Sequence, residues 1–567
     1  MKRKVLALLL CIVTVLTLFT ACGEKEIDED ELVSEQSTRT AVSINMWIVT
    51  DNKVSEETEA LIEKAVNTIT KSRFTTYVDL IFVTESEYDA AIDARFTAIE
   101  EQEKAREAEI QRQKEEARSL KAAGITTIAT TTEAPVVSET AEETVLNEYG
   151  VVELKYPVIP EDQIDIICVM GRERLEALVD AGRLMDLDDE ISTTGSSKAL
   201  NDYIHPTFFN FSKIDGSCYA IPNNHVIGEY TYLLINKQLA EKYYIHPDSI
   251  SDFKDCLTFI EDIKKNETIA PVKAPFASHL TYFWDVQDLS SPDFSILASS
   301  YGLTAKQIYG EKSNIKLNLT DVYSVRNYTE HQVRMMTYEQ NGYFAANEDD
   351  PFGVGVVTGD YSLRNQYGDD YYVKVLRAPV ATEEDVFESF LAVSSYTANL
   401  KRCMEVITLL NTTSELRNIL AYGIEDVHYT INDNDVLVRL NNDYCTKLVN
   451  TGNVFMAHPD EGMPGDMWTY GKLQNQDSFA HVLLGLRSAW GDVNQSKLET
   501  VDQLTKEYQA RELACKTPEE LQAFYDAAKL ELAQNAVIKG IKDAINDTDT
   551  PAAVYKSWYD TNWPTVD

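Results

Sequence analysis

Motifs that carry out covalent chemistry are absent from the sequence. It contains no HExxH, no GxSxG and no GxxxxGK[ST]. The glycines Gly353, Gly355 and Gly359 do not have GxGxxG spacing, and they indicate a buried strand followed by a turn. The 92 acidic residues are so numerous that chance carboxylate pairs are expected, so no glycosidase-type pair can be singled out. The sequence therefore indicates no catalytic residue and no cofactor, and points to non-covalent binding.

Side chains that follow predicted strands are the best binding candidates. In open parallel sheets, ligands lie beyond the carboxyl ends of the strands, and clefts between domains are favoured sites. For each side chain the alternative is a packed core aromatic or a solvated acid. The candidate ligand contacts are Trp47, Asp51, Gly171, Arg172, Trp284, Asp360, Tyr361 and Trp468.

The N-terminus has the three-part layout of a secretory signal. Lys2, Arg3 and Lys4 precede a mostly apolar run of 16 residues, which is short for a spanning helix. Phe19 to Cys22 resembles a bacterial lipobox, although Phe19 stands where leucine is usual. We expect a signal peptide over residues 1–21 and lipidation of Cys22. The alternative is an ordinary signal peptide cut nearby, with Cys22 incidental.

Charge defines the next segment and excludes one class of partner. Residues 22–41 are acidic and lack periodicity, which predicts a flexible tether. The formal net charge of −41 would repel nucleic acid, so nucleic-acid binding is rejected. The six cysteines beyond Cys22 are scattered without a CxxC pair, so no metal site is indicated, and we expect mostly buried free thiols.

The elements that must position the candidates begin with a β-α-β unit. Strands are predicted over residues 42–50 and 77–84, with an amphipathic helix over 55–71 between them. Residues 85–147 then interrupt the pattern with a charged helix and a Thr- and Ala-rich tip. They predict a solvated insertion, and a docking arm for a partner is the alternative.

Strands and helices alternate again after the insertion. An apolar strand is predicted over 164–170 and a helix over 172–181. The Thr412-x-x-Glu415 spacing predicts a capping box at the start of a helix over 414–422. Residues 498–544 are almost wholly helical in pattern. The fold class is α/β with a helical C-terminal part.

Three segments together resemble the extracellular solute-binding proteins of ABC importers, in their carbohydrate-binding branch. Residues 219–222 with 232–237 look like the YxIP…YNK signature of that family. Residues 165–167 with 178–187 look like its strand, helix and AG-x-L-x-x-L unit. Residues 409–429 resemble an ordered LLNT-x-x-E-L-R-N stretch of one subfamily, with Asp426 where that subfamily has glycine.

The resemblance implies a two-lobed periplasmic-binding-protein-like fold of type II, with a charged helical insertion. It implies lobe 1 over 42–228, lobe 2 over 229–375, a return to lobe 1 over 376–430, and a lobe 2 return with C-terminal helices over 431–567. Tyr232, by its motif, is expected to pack at the hinge. A sugar offers an apolar face to a tryptophan ring and hydroxyls to a carboxylate, so the candidate contacts suit it.

The implied function is a monomeric, lipid-anchored extracellular receptor that passes an oligosaccharide to the permease subunits of an ABC transporter, in a Gram-positive bacterium. Three alternatives stay open. They are a binding lipoprotein for a peptide or another solute, a surface glycan-binding or adhesion lipoprotein, and an exported glycosidase.

Overall fold

The structure is a computed structural model. It describes residues 39–122, 144–146, 152–273, 286–288, 296–300, 318–325, 327–347, 349–480 and 492–546. The predicted signal peptide, Cys22 and Trp284 lie outside the described residues. Within them, no helix has both the length and the apolar character needed to cross a membrane.

The first sheet has five strands and a mixed topology. The first three strands in its spatial order are parallel, and the last two pair antiparallel with their neighbours. In that order they are Thr76–Thr84, Val42–Thr50, Ile166–Val169, Phe390–Val393 and Ala220–Pro222. The two longest strands pair along their full lengths, from Val42 opposite Thr76 to Thr50 opposite Thr84. The predicted β-α-β unit is therefore present.

The helix Glu56–Phe74 connects these two long strands. Ser55 caps its first turn by accepting from the Thr58 N–H, and Thr75 ends it with a left-handed φ of 54°. Ile62, Val66 and Ile69 on one face are buried against the sheet. The helical spacing of the apolar residues places them on this one face, as the sequence predicts.

The helix Glu85–Ala122 differs from the predicted insertion. Its first four turns bury Tyr88, Ile92, Phe96 and Ile99, which are at most 1% exposed, in the core of the first sheet. Every described side chain from residue 101 to 116 is instead exposed. The solvated part thus begins at 101 and not at 85. The dense charges of the segment hid an apolar stripe at i, i+4, i+8 and i+11.

The second sheet has four strands and is mostly antiparallel. In spatial order they are Tyr371–Arg377, Tyr230–Asn236, Phe352–Gly359 and Ala270–Val272. Only the last two are parallel. The strand Phe352–Gly359 confirms the buried glycine-rich strand. Gly353 is required there because a Cβ would lie 2.8 Å from the Pro271 carbonyl oxygen and 2.3 Å from Ile263 Cδ1.

Smaller elements complete the two layers. The short strands are Thr144–Leu146, Val152–Leu154, Val286–Asp288, Leu297–Ser300, Asn318–Asp321, Val380–Ala381, Tyr429–Ile431, Leu437–Arg439 and Phe479–Ala480. The further α-helices before residue 480 are Arg172–Asp180, Asp188–Ile191, Leu200–Tyr203, Pro206–Phe211, Lys237–Lys242, Leu257–Asn266, Tyr328–Gln340, Leu363–Tyr367, Glu383–Phe387, Leu400–Thr412, Ser414–Tyr422 and Met467–Asp477.

The predicted capping box at Thr412 is wrong. The helix Ser414–Tyr422 has Thr413 at its N-cap without a side-chain capping bond. The Thr412 hydroxyl donates to the Thr408 carbonyl instead, because the preceding helix runs as far as Thr412. Asp426, which stands where the related subfamily has glycine, adopts a left-handed φ of 62°. An aspartate tolerates that conformation better than most residues.

Three C-terminal helices form a compact group against the helix Tyr328–Gln340. They are Asp492–Ala514, Pro518–Gln534 and Ala536–Asn546, as the helical pattern predicts. At their centre the buried Glu512 accepts hydrogen bonds from the hydroxyls of Tyr323 and Tyr525, at 3.2 and 2.6 Å. This contact attaches the group to the body of the protein.

The six thiols in the described residues are all free. Four of them are buried, which agrees with the expectation, and Cys445 and Cys515 are partly buried. Burial raises the pKa of the Cys168 and Cys218 thiols to about 12. These two thiols therefore act as apolar packing groups and not as nucleophiles.

Candidate functional site

Two sheet edges face each other across the middle of the molecule. The parallel strands of the first sheet end at Thr50, Thr84 and Val169. Pro222 and Phe390 pair at this same end of the strands. The second sheet has Tyr230 and Gly359 paired at one edge. The chain segments 223–229 and 378–389 connect these same edges. The carboxyl end of the first sheet therefore faces the edge at which the strand Phe352–Gly359 ends.

A third connection runs beside these two segments. The helix Met467–Asp477, here called the bridging helix, is attached to the first crossing segment by two amides. Asn475 accepts from the Ile227 N–H and donates to the His225 carbonyl, both at 2.8 Å. Gln474 donates to the Gly228 carbonyl at 2.6 Å. The helix is thereby fixed at the junction of the two sheets.

A loop formed by residues 445–453 covers the carboxyl ends of the strands of the first sheet. It contacts the ends of three strands in turn. The Cys445 carbonyl accepts from the Asp51 N–H at 2.9 Å, Lys447 pairs with Glu85 at 2.6 Å, and Asn450 approaches Met170 Sδ at 3.6 Å. The hydrogen bond with Glu85 raises the pKa of the Lys447 ammonium. Asp51 itself is exposed at this end of the sheet.

Arg417 fixes this loop through hydrogen bonds. Its guanidinium is fully buried and donates to the Leu448 and Asn453 carbonyls and to the Thr451 hydroxyl. These acceptors are neutral, so burial lowers the pKa of Arg417 to about 10. The predicted boundary at residue 431 between the lobe 1 return and the lobe 2 return stays a prediction. The contacts of Arg417, however, attach residues 448–453 to the helices of the first sheet.

Tyrosine rings form the facing wall on the second sheet. Tyr361, just after the strand Phe352–Gly359, stacks on Tyr470 of the bridging helix with centroids 4.6 Å apart and planes 8° apart. The Arg364 guanidinium lies 4.4 Å from the Tyr361 centroid. Both tyrosines are partly exposed. The pair joins two different elements, and because each ring covers one face of the other, only the outer ring faces are left to meet a ligand.

Two buried tyrosines support this surface. Tyr230 and Tyr232 stack at 5.2 Å, and Arg364 lies 5.7 Å from each ring. The Tyr230 hydroxyl donates to Asp477 at 2.6 Å, which ties the last turn of the bridging helix to the second sheet. Burial raises the pKa of Tyr232 to about 12, so it stays protonated. Tyr232 is buried within the second sheet, and its place at a hinge stays a prediction.

Three of the predicted contacts gather near this wall. Asp360 is partly exposed and accepts from the N–H of Ser362 at 2.8 Å. Tyr361 is in the stack. Trp468 lies on the bridging helix, where its indole N–H donates to the Ala457 carbonyl at 2.7 Å and its ring meets Phe455 edge to face. Trp468 therefore presents only part of its ring to solvent.

The structure gives other predicted contacts a packing role. Trp47 is 8% exposed and lies in the core under the helix Glu85–Ala122. The Gly171 N–H donates to the Phe387 carbonyl. Arg172 pairs with Glu176 and Glu383, at 2.8 and 3.1 Å, and stacks on the Phe387 ring. These bonds hold the second crossing segment and occupy two of the three guanidinium nitrogens.

Sequence reasoning missed Tyr470, Arg364, Asp477 and Lys447. Tyr470 is two residues from the predicted Trp468, but its partner Tyr361 is more than one hundred residues away. The sequence does hold a weak signal. Trp468 and Tyr470 lie next to Gly471, and a glycine inside a helix indicates that another segment packs closely there. The pairing itself depends on tertiary structure.

The comparisons with known proteins bear on this arrangement. No family model matches the chain. A carbohydrate ABC transporter substrate-binding protein of Streptococcus pneumoniae is 21% identical over 260 residues, which is 43% of this chain and 50% of that protein. The chain thus matches about half the length of its curated relative. The crystal structure of the N-glycan transport solute binding protein of the same species has a TM-score of 0.53 at 14% identity, covering 93% of this chain and 100% of that one. The chain has the two-lobed fold of the extracellular solute-binding proteins.

A solute-binding protein described as HMO-binding and ABC-transporter-associated, from Bifidobacterium longum infantis, covers 92% of this chain and 99% of its own at a TM-score of 0.47 and 11% identity. The loop over the first sheet and the tyrosine wall lie at the two strand ends that the crossing segments connect. A shallow depression of about 690 Å³ has Asp466, the N-cap of the bridging helix, in its lining. The described residues contain no group of three or more His, Cys, Asp or Glu side chains arranged to hold a metal ion.

Proposed function

We propose that this protein is a lipid-anchored extracellular receptor that captures an oligosaccharide in its cleft and delivers it to an ABC permease. The observation that carries the proposal is the Tyr361–Tyr470 stack at the junction of two facing sheets. A pyranose ring offers an apolar face to a tyrosine ring, and its hydroxyls can donate to Asp360 beside the stack and to Asp51 at the end of the first sheet. The carbohydrate and N-glycan relatives support the same ligand class.

The position of the stack is also suited to a closing motion. Tyr361 belongs to the second sheet, whereas Tyr470 belongs to a helix attached to the first crossing segment. A ligand that contacts both walls stabilises the closed arrangement, because it binds that arrangement better than the open one. The Glu85–Lys447 pair and Asp51 form the opposite wall. A receptor of this kind needs no catalytic group, since its output is a change of shape.

The direct test is a thermal-shift and calorimetric screen of the mature chain, starting at Cys22, against neutral oligosaccharides and peptides. A ligand at 100 times its Kd should stabilise the protein by about 2.7 kcal/mol. Y470A should weaken binding at least about tenfold, which corresponds to about 1.4 kcal/mol. Y244A is the matched control, because Tyr244 is 86% exposed and lies far along the chain from the stack.

Each outcome has a clear meaning. A shift with peptides and none with any glycan would replace oligosaccharide with peptide as the ligand class. Release of cleaved sugar products would show an enzyme. Equal binding by parent, Y470A and Y244A would remove the tyrosine stack from the site. Cys22 acylation is tested separately by mass spectrometry of the protein extracted from membranes.

A further inference from the structure

The three connections between the two sheets meet at one histidine. His225 lies in the first crossing segment, and its carbonyl accepts from the Asn475 side chain of the bridging helix at 2.8 Å. Its imidazole Nε2 lies 3.0 Å from a carboxylate oxygen of Glu388, which belongs to the second crossing segment. The ring also packs on Phe208, with centroids 4.7 Å apart, and His225 is only 8% exposed. A change of charge on this imidazole therefore acts on both crossing segments.

The contacts of the imidazole decide which of its nitrogens carries a proton. Nδ1 lies 2.8 Å from the Asn223 carbonyl oxygen, which can only accept, so Nδ1 carries a proton and donates. In a neutral ring Nε2 is then a bare lone pair, which would face the negative oxygen of Glu388. That contact is repulsive for the neutral ring and attractive for the imidazolium. Nε2 and the carboxylate are not aligned for a hydrogen bond, so the short distance fits an ion pair with a charged His225.

Within the part of the chain that the structure describes, the other neighbours of this ring are neutral. Phe208 also contacts the His205 ring, and burial lowers the pKa of His205 to about 4, so that His205 stays uncharged at pH 5.5 and above. The bridging helix contributes a neutral amide. Asp385, in the second crossing segment, accepts from a backbone N–H of the first crossing segment at 3.1 Å. Glu388 is thus the charged group that the ring of His225 faces.

Glu388 also belongs to the charged group at the carboxyl end of the first sheet. Its side chain is 49% exposed. The hydrogen bond with Glu85 raises the pKa of the Lys447 ammonium, and the charges of Asp51 and Glu388 add to this rise. Glu388 is therefore close to the wall that the proposed function assigns to Asp51, Glu85 and Lys447. It is the member of this wall that stands on a connection between the sheets.

We propose that Glu388 contacts the ligand and that the proton on His225 holds the Glu388 carboxylate in place. The inference rests on the proposed function, because it adds a residue to the same cleft. A carboxylate accepts charge-assisted hydrogen bonds from sugar hydroxyls, and these are stronger than bonds to a neutral acceptor. Loss of the proton turns attraction into repulsion and releases the carboxylate, so its bonds to the sugar weaken. Histidine side chains change charge between about pH 5 and pH 8, so the receptor binds its sugar more tightly at the acidic end of this range.

Two substitutions of His225 separate the roles of its two nitrogens. Glutamine places an amide nitrogen where Nε2 lies, so H225Q keeps a donor toward Glu388 at every pH. Asparagine places one where Nδ1 lies, so H225N keeps the bond to the Asn223 carbonyl and loses the contact with Glu388. E388Q keeps the shape of the side chain and removes its charge. E241Q is the matched control, because Glu241 is exposed on the helix Lys237–Lys242, at the end of the second sheet away from the crossing segments.

Calorimetry measures the affinity of the mature chain for a neutral mannose-rich oligosaccharide of the N-glycan type at pH 5.5 and pH 8. The parent and E241Q should bind at least about threefold more tightly at pH 5.5. H225N should bind equally at both pH values at the weaker level, and H225Q equally at the tighter level. E388Q should bind about tenfold more weakly than the parent at pH 5.5, because a charged acceptor is lost. Affinities of E388Q and H225N that follow those of the parent at both pH values would overturn the proposal.

A second measurement needs no ligand and keeps this proposal apart from the proposed function. A double-mutant cycle of H225N and E388Q by urea denaturation gives the coupling between the two side chains. At pH 5.5 we expect a coupling of about threefold in the unfolding equilibrium constant, and at pH 8 none or one of opposite sign. No coupling at pH 5.5 would overturn the ion pair. If the coupling is present but the parent binds no glycan, the proposed function fails and the ligand role of Glu388 fails with it, whereas the ion pair stands.

Discussion

At the residue scale, buried polar groups in this protein hold elements together and titrate in predictable directions. Glu512 is the clearest case. It accepts one hydrogen bond from Tyr323 in the body of the protein and one from Tyr525 in the next C-terminal helix. Burial raises the pKa of Glu512 above its usual value, although the two tyrosine hydrogen bonds lower it. The carboxyl group is therefore easier to protonate in the folded protein than in the unfolded chain.

The sign of the resulting pH dependence follows from linkage. A raised folded pKa contributes stability below about pH 4.5 that is lost as the pH rises through the folded pKa. E512Q should remove this loss, so its melting temperature relative to the parent should increase from pH 4 to pH 7. Differential scanning calorimetry measures the difference. E512A is the control and should be destabilised at both pH values, because it leaves two buried hydroxyls without a partner.

At the scale of elements, the bridging helix depends on a close approach at Gly471. A Cβ there would lie 2.8 Å from Val226 Cγ2 and 2.9 Å from Phe455 Cε1. G471A should push the helix off the crossing segment and cost about 1–3 kcal/mol of unfolding free energy, as overpacking does. It should also weaken ligand binding, because Tyr470 and Trp468 lie on the same helix.

The same substitution elsewhere provides a control of opposite sign. Gly540 lies inside the helix Ala536–Asn546, and a Cβ there would meet nothing within 4 Å. G540A should stabilise the protein by up to about 1 kcal/mol, because alanine is the better helix former. Urea denaturation compares both variants with the parent. Equal effects of the two substitutions would show that the packing at Gly471 has no special role.

The loop over the first sheet depends on Arg417. R417A removes three hydrogen bonds from a fully buried guanidinium, so we expect a loss of about 3 kcal/mol or more. R73A is the comparison. Arg73 forms an exposed ion pair with Glu415, which lies on the same helix as Arg417. That change should cost less than about 1 kcal/mol. Urea denaturation of both variants decides, and similar losses would contradict the role assigned to Arg417.

The sequence predicts elements better than it predicts their partners. The strand Val42–Thr50 matches its predicted bounds, because it is mostly apolar over the length of a strand. The core part of the helix Glu85–Ala122 was missed, since four buried side chains are outnumbered by charges. At the site, Asp360 and Tyr361 follow from the end of a strand. Tyr470 does not, because its place depends on packing between distant segments.

At the scale of the whole molecule, three connections join two sheets whose facing edges carry the candidate site. Two are crossing segments, and the third is the bridging helix, which Asn475 ties to the first crossing segment and Asp477 ties to the second sheet. Such connections allow the lobes to rotate while each sheet stays intact. The helix Glu85–Ala122 runs from this junction to the amino end of the first sheet, where Arg95 donates to the Gln163 carbonyl.

The central claim is that a sugar closes this cleft on the tyrosine stack. Small-angle X-ray scattering of the mature chain, with and without a neutral N-glycan-type oligosaccharide, tests it most directly. We predict a smaller radius of gyration with the sugar, retained in Y244A and lost in Y470A. An unchanged radius under conditions where calorimetry shows the sugar bound, or the same decrease in Y470A, would contradict the account.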